Sequence, residues 1–279
     1  MSLRKTCAAA LVLLLMPLMP ACSTTRSTTR SASGGDAEVS SETLSSENQR
    51  LAKALKSSDW SVRTQAIADL RDKGPAAVEA LPALIHALSD KHRLVRLWAT
   101  ETLGGLGPAA QTSAGELTRF LEKESDPGVR AAAAKALAQI EGPHGIPALI
   151  RALGDKDLGV RRSAAFSLGE MGSAAQEAIP TLIRVVQSDD DLGAQELAIR
   201  ALGKIGPAAA PAVPALIEIL KGKDSSRRFL RLAAIRTLGQ IGPAAAQAVG
   251  AIRESMELDP NSGGLVKETL EHIEGEKKQ

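Results

Sequence analysis

The chain has 279 residues, 44% of them hydrophobic, which supplies enough apolar material for one elongated domain or two compact ones. Aromatic residues make up only 2% and Tyr is absent, so we expect thin layers of closely spaced helices filled by Ala, Leu, Ile and Val. Arg4 and Lys5 account for the difference between 34 basic and 32 acidic side chains. Both lie in a predicted targeting segment, and without them the electrostatic basis for nucleic-acid binding disappears.

Residues 1–22 are predicted to be an export signal. A charged start is followed by an apolar run of 14 residues from Ala8 to Ala21, whereas a membrane-spanning helix needs roughly 20. The stretch "LMPAC" resembles a bacterial lipoprotein lipobox, which implies that Cys22 is lipidated and becomes the first mature residue. Ordinary secretion with cleavage nearby and an uncleaved anchor are the alternatives. Ser23 resembles the residue found in lipoproteins sorted to the outer membrane rather than the inner membrane.

Residues 23–45 are predicted to be a disordered tether. They are rich in Ser and Thr and have almost no bulky apolar side chain, so they cannot bury enough surface to offset the entropy of ordering. A coil of this length spans roughly 25 to 30 Å. The tether would therefore hold the folded part, predicted for residues 46–275, clear of the lipid headgroups.

Beyond the tether, one pattern recurs every 31 to 36 residues. A Val-type position is followed by Ala four residues later and by Leu eight residues later, which is the spacing of one helical stripe. The three columns are Val62, Val95, Val129, Val160, Ala194 and Leu230; Ala66, Ala99, Ala133, Ala164, Ala198 and Ala234; and Leu70, Leu103, Leu137, Leu168, Leu202 and Leu238. Each repeat is therefore predicted to open with a helix that buries this stripe.

A glycine is predicted to end each first helix, because glycine adopts the left-handed C-terminal conformation at little cost. These glycines are Gly74, Gly107, Gly172, Gly206 and Gly242. A second helix follows, marked by the phrase "PALI" with its proline in the first turn. Its predicted buried residues are Leu84, Leu88, Leu149, Leu153, Leu182, Val186, Leu216 and Leu220. One such hairpin cannot bury its apolar faces alone, so neighbours are predicted to stack into a right-handed α-solenoid.

The phrases "VRxxAxxxLGxIG" and "AVPALIxxL" resemble HEAT repeats, specifically the bacterial HEAT-like type also seen in phycobilin lyases. The resemblance covers roughly residues 46–257 and implies an all-α solenoid of about six hairpins. The segment "SENQRLAKALKSSD" is predicted to be a lone second helix that caps the N-terminal end, and "GGLVKETLEHIEGEKKQ" a polar C-terminal cap.

Acidic and basic residues recur near the start of each first helix. In HEAT proteins the equivalent Asp and Arg form a ladder that braces adjacent repeats, and the bidentate geometry of Arg suits that task. The residues of this predicted ladder are Asp59, Arg63, Asp90, Arg96, Asp126, Arg130, Asp157, Arg161, Asp224 and Arg231. The alternative is a basic stripe for an anionic partner.

The second helices supply the predicted partner-binding residues. In HEAT solenoids these helices line the concave face, and the residue two places after the Leu of "PALI" should point away from the buried stripe. That column is His86, Arg119, Arg151, Arg184, Glu218 and Glu254. Its change from basic to acidic could guide a protein partner of complementary charge. A solvated helix face without a ligand is the alternative.

No catalytic, metal or cofactor site is predicted. Cys7 and Cys22 both lie in the targeting segment, the four histidines form no metal-ligand spacing, and no phosphate-loop or nucleophile-elbow motif occurs. We therefore expect a non-enzymatic, monomeric, lipid-anchored scaffold of the bacterial cell envelope that binds a protein and no nucleic acid. The alternatives are a structural spacer in an envelope assembly, which would co-purify stably with one large complex, and a lyase-like accessory factor.

Overall fold

A computed structural model describes residues 41–275, and within that range the chain consists of helices and turns with no β-strand. Six helical hairpins follow one another. Their first helices are α2 (Trp60–Asp72), α4 (Arg93–Gly105), α6 (Pro127–Glu141), α8 (Leu158–Glu170), α10 (Leu192–Ile205) and α12 (Arg228–Ile241). Their second helices are α3 (Leu81–Ala87), α5 (Ala114–Lys123), α7 (Ile146–Ala152), α9 (Ile179–Ser188), α11 (Val213–Lys221) and α13 (Val249–Leu258). A helix flanks the hairpins at each end: α1 (Ser41–Ala54) and α14 (Gly263–Glu274). The all-α solenoid predicted from the repeats is confirmed.

A short 3-10 segment joins the two helices of every hairpin. These segments are Gly74–Ala80, Gly107–Ser113, Gly142–Gly145, Gly172–Ala178, Gly206–Ala212 and Gly242–Ala248. The first residue of each has a positive φ, between 51° and 81°, which glycine adopts without the clash that a Cβ would cause. Gly142 fills this role one residue later than in the other repeats, because α6 continues through Glu141. The prolines of "PALI" lie in the first turn of their helices, as predicted.

The core consists of the predicted columns. The Ala and Leu columns are almost fully buried in all six first helices, as are the Leu and Val residues of the second helices. Successive first helices pack directly on one another. A Cβ added to Gly169 would lie 3.2 Å from the Cα of Ala201, and the Thr237 hydroxyl donates to the Ile199 carbonyl at 3.0 Å. Small side chains therefore let the first helices approach closely.

The N-terminal end differs from the sequence-based expectation in two ways. Val62 is 43% exposed, although its five equivalents are fully buried, because no first helix precedes α2 among the described residues. Helix α1 begins at Ser41, inside the segment predicted to be disordered up to residue 45. Extending a helix that is already formed costs little per residue, so α1 continues into the Ser-rich segment although its composition predicts disorder.

The remaining N-terminal predictions concern residues before Ser41. The predicted signal segment with Cys22, and residues 23–40 of the predicted tether, lie outside the described range. Between residues 41 and 275, no helix combines the length and the apolar character that crossing a bilayer requires.

Candidate functional site on the second-helix face

An arginine near the start of four first helices connects two consecutive inter-repeat loops. Nε and Nη2 of Arg63 donate to Asp90 at 2.6 and 2.7 Å, and Nη1 donates to the carbonyls of Ser57 and Ser58. The same bidentate arrangement, with donor–acceptor distances of 2.7–3.0 Å, joins Arg96 to Glu124, Arg130 to Asp155 and Arg161 to Asp189. These guanidinium groups are largely buried and hold successive repeats together.

The acids of this ladder differ from those assigned by sequence. Of the five predicted acids, only Asp90 accepts through its carboxylate from a predicted ladder arginine. The carboxylates of the other four accept from backbone N–H groups where the next helical segment begins: Asp59 from Ser61, Asp126 from Val129, Asp157 from Gly159 and Val160, and Asp224 from Ser226. Asp126 also accepts from Arg93, which was not among the predicted ladder arginines. A short side chain at the N-cap reaches these otherwise unsatisfied donors. The pairing acid lies two residues before the cap, in the pattern acid-x-Asp at Glu124, Asp155 and Asp189, whereas Asp90 precedes His92.

Two first helices depart from the ladder. Gln195 replaces the arginine in α10 and reaches only the Asp189 carbonyl, at 2.7 Å. Arg231 donates to the carbonyls of Gly222 and Asp224 and, within residues 46–275, contacts no carboxylate. Neighbouring arginines add exposed pairs that sequence reasoning missed, including Arg162 with Asp191 at 2.6 Å.

The ladder keeps its carboxylates ionised. Burial alone would raise the pKa of Asp155, but hydrogen bonds from Arg130 and from the Asp157 N–H lower it below its usual value. The same balance of burial against arginine and backbone hydrogen bonds lowers the pKa of Asp90, Glu124 and Asp189. Because these groups are paired with one another within the chain, they leave little hydrogen-bonding capacity for a ligand.

The six predicted partner-binding residues form an exposed ridge, one on each second helix: His86, Arg119, Arg151, Arg184, Glu218 and Glu254. Their pairing differs. Arg119 contacts Glu116 at 2.7 Å, Arg151 contacts Glu122 at 2.9 Å, and Glu218 contacts Lys221 at 2.9 Å. Within residues 46–275, His86, Arg184 and Glu254 form no ion pair. Helix α1 supplies a seventh member, Lys53, which lines the groove between α1 and α3 together with His86.

Grooves separate neighbouring second helices. The groove between α7 and α9 has a volume of about 540 Å³, the one between α1 and α3 about 520 Å³, and the one between α3 and α5 about 450 Å³. Ridge residues line each of them. No group of three or more His, Cys, Asp or Glu side chains in the described part of the chain is placed to hold a metal ion. The arrangement offers a long surface of repeated grooves.

Models of HEAT repeats match residues 48–138, 114–197 and 188–263, which together span well over half of the chain. The chain belongs to the HEAT-repeat family. HEAT solenoids present extended surfaces suited to protein interaction, and the ridge and grooves described above form such a surface here. No curated protein has a sequence significantly similar to this chain.

Solved structures are similar to this chain. An engineered protein superimposes with a TM-score of 0.52 and 24% identity, covering 70% of this chain and 96% of that one. YibA of E. coli has a TM-score of 0.52 and 16% identity, covering 88% of this chain and 100% of that one. The complex of CpcE and CpcF of phycocyanin lyase from Nostoc sp. has a TM-score of 0.48 and 24% identity, covering 89% of this chain and 99% of that one. That last likeness supports no statement about lyase chemistry.

Proposed function

We propose that this HEAT-repeat protein is a non-enzymatic scaffold that binds a protein partner along its second-helix face. The observation that carries the proposal is the ridge, a column of exposed charged side chains at the same position of successive second helices. Each pair of neighbouring second helices adds a groove beside it. A partner lying along this face would contact several repeats at once, and a few central side chains would dominate the binding energy.

The charge of the ridge changes along the solenoid. Lys53, Arg119, Arg151 and Arg184 lie in the first two thirds, and Glu218 and Glu254 follow in the last two hairpins. Such an arrangement favours one orientation of a partner whose charge distribution is complementary, and it accelerates encounter at low ionic strength. The ladder arginines, by contrast, are buried and satisfied within the chain.

We further propose that the scaffold is exported and anchored to the cell envelope by a lipid on Cys22, with the outer membrane favoured. The support is in the sequence: a charged start, a short apolar run and the "LMPAC" stretch, followed by a Ser- and Thr-rich segment. The lipid would anchor the chain, the tether would give it reach and the HEAT solenoid would recognise the partner.

Reversing the charge of the ridge tests the binding face. The variant Arg119→Glu, Arg151→Glu, Arg184→Glu should lower partner capture by in-cell crosslinking at least about tenfold, because like charges would then face each other. The matched control reverses three exposed cations of the first helices, Lys135, Arg200 and Arg236, and should capture the partner normally. Both variants should keep the helical circular dichroism of the wild type. Normal capture by the ridge variant would show that the face is wrongly assigned.

Metabolic labelling tests the anchor separately. A labelled fatty acid should enter the wild-type chain, whereas Cys22→Ala should incorporate none. Equal incorporation in both would refute lipidation at this residue.

A further inference from the structure

The groove between α7 and α9 combines an apolar floor with a cationic rim. Ile150, Leu153 and Val185 supply apolar lining, and Arg151 and Arg184 lie on the two second helices. Two carboxylates, Asp189 and Asp190, also line the groove, and both are paired with the lining residue Arg161. A volume of about 540 Å³ accommodates one or two side chains of a bound segment. A bound segment with an apolar side chain next to a negatively charged one fits such a groove.

The two rim arginines are engaged differently. Arg184 contacts only the Thr181 hydroxyl, at 3.2 Å, and no carboxylate within residues 46–275 pairs with it. Arg151 reaches across to Glu122 of the preceding hairpin, at 2.9 Å, and both of these side chains are about half exposed. An exposed pair of this kind contributes little stability, so an incoming carboxylate can displace Glu122 at low cost.

We propose that this groove takes an acidic, extended segment of the partner, with an apolar side chain on the floor and a carboxylate on Arg184. Glu122 is then an internal competitor, which holds Arg151 until a second carboxylate of the segment replaces it. This inference rests on the proposed function, because it names the chemistry of the partner at the same face.

We take the register of the segment from the usual spacing of stacked helices. Packed helices lie about 8 to 10 Å apart, and an extended chain rises about 3.3 Å per residue. Equivalent positions on neighbouring second helices are therefore matched by residues three apart in the segment. The groove between α3 and α5, with Arg119 and Lys123 beside Phe120, repeats the same combination of apolar and cationic groups.

The test uses a fluorescent peptide of four Leu-Glu-Ser units and the purified full chain in a detergent-containing buffer, which accommodates the apolar N-terminal segment. Binding is followed by fluorescence anisotropy. We expect Arg184→Ala to weaken binding about tenfold, as the loss of one hydrogen-bonded charge contact implies. Glu122→Gln should tighten binding severalfold, because Arg151 is released. The matched control Glu101→Gln, an exposed carboxylate on α4, should leave binding unchanged, and a Leu-Lys-Ser peptide should not bind.

Three outcomes would overturn the inference: no binding of the Leu-Glu-Ser peptide, equal binding by Arg184→Ala, or Glu122→Gln binding no tighter than the wild type. A different result would refute the proposed function. If the peptide does not bind and the ridge variant still loses its natural partner, the second-helix face binds a protein of other chemistry. If the ridge variant captures its partner normally, the face itself is wrong.

Discussion

Removing the guanidinium of Arg130 should destabilise the solenoid more than removing any exposed charge. This side chain is only 5% exposed, donates twice to Asp155 at 2.8 Å and reaches the carbonyls of Glu124 and Ser125 with its third nitrogen. Arg130→Ala leaves Asp155 partly buried without its counter-charge. Breaking a buried pair in this way costs about 3 kcal/mol. Arg130→Gln imitates the natural Gln195, which keeps one carbonyl contact, and should cost about 2 kcal/mol.

Urea unfolding followed by circular dichroism at 222 nm measures the effect. The matched control is Arg200→Ala, which removes an exposed arginine whose pair with Glu196 spans 3.5 Å on α10 and should cost less than about 0.5 kcal/mol. The urea concentration at the unfolding midpoint should be highest for Arg200→Ala, lower for Arg130→Gln and lowest for Arg130→Ala. If Arg130→Ala and Arg200→Ala unfold at the same urea concentration, the ladder does not brace the repeats.

Two further predictions concern pH and packing. The ladder carboxylates Asp90, Glu124, Asp155 and Asp189 have lowered pKa values, so their contribution to stability is present above about pH 4 to 5 and is lost as the pH falls further. The midpoint difference between wild type and Arg130→Gln should therefore shrink between pH 6 and pH 2, and a constant difference would contradict this role of Asp155. Gly169→Ala places a Cβ about 3.2 Å from the Ala201 backbone and should cost about 1 to 2 kcal/mol, whereas Gly105→Ala meets no atom within 4 Å and should not destabilise. Equal midpoints for the two glycine variants would show that close approach of the first helices is not required.

The repeating part of the fold could be predicted because the same residues recur at the same helical positions. Periodic Ala and Leu specify which face is buried, and glycine specifies where each first helix stops. The ends could not be predicted equally well. Val62 obeys the repeat pattern but lies where no preceding first helix is described, so burial there depends on a neighbour that the pattern cannot supply.

The sequence predicted that acids and arginines form a ladder, but not which acid pairs with which arginine. Sequence spacing placed Asp126 and Asp157 near the correct arginines, yet an Asp directly before a helix satisfies backbone donors first. The informative signal was the acid two residues earlier, at Glu124, Asp155 and Asp189. The ridge column was predicted from the register of the second helices together with the resemblance to HEAT solenoids. Its engagement with Glu116, Glu122 and Lys221 depends on distances that the sequence does not give.

A photo-crosslinking residue placed at position 184, on the ridge, tests the central claim most directly when compared in living cells with the same residue at position 236, on the first-helix face. We expect a discrete protein adduct at position 184 and none at position 236. Adducts of equal yield at both positions, or an adduct at position 236 alone, would contradict recognition through the second-helix face.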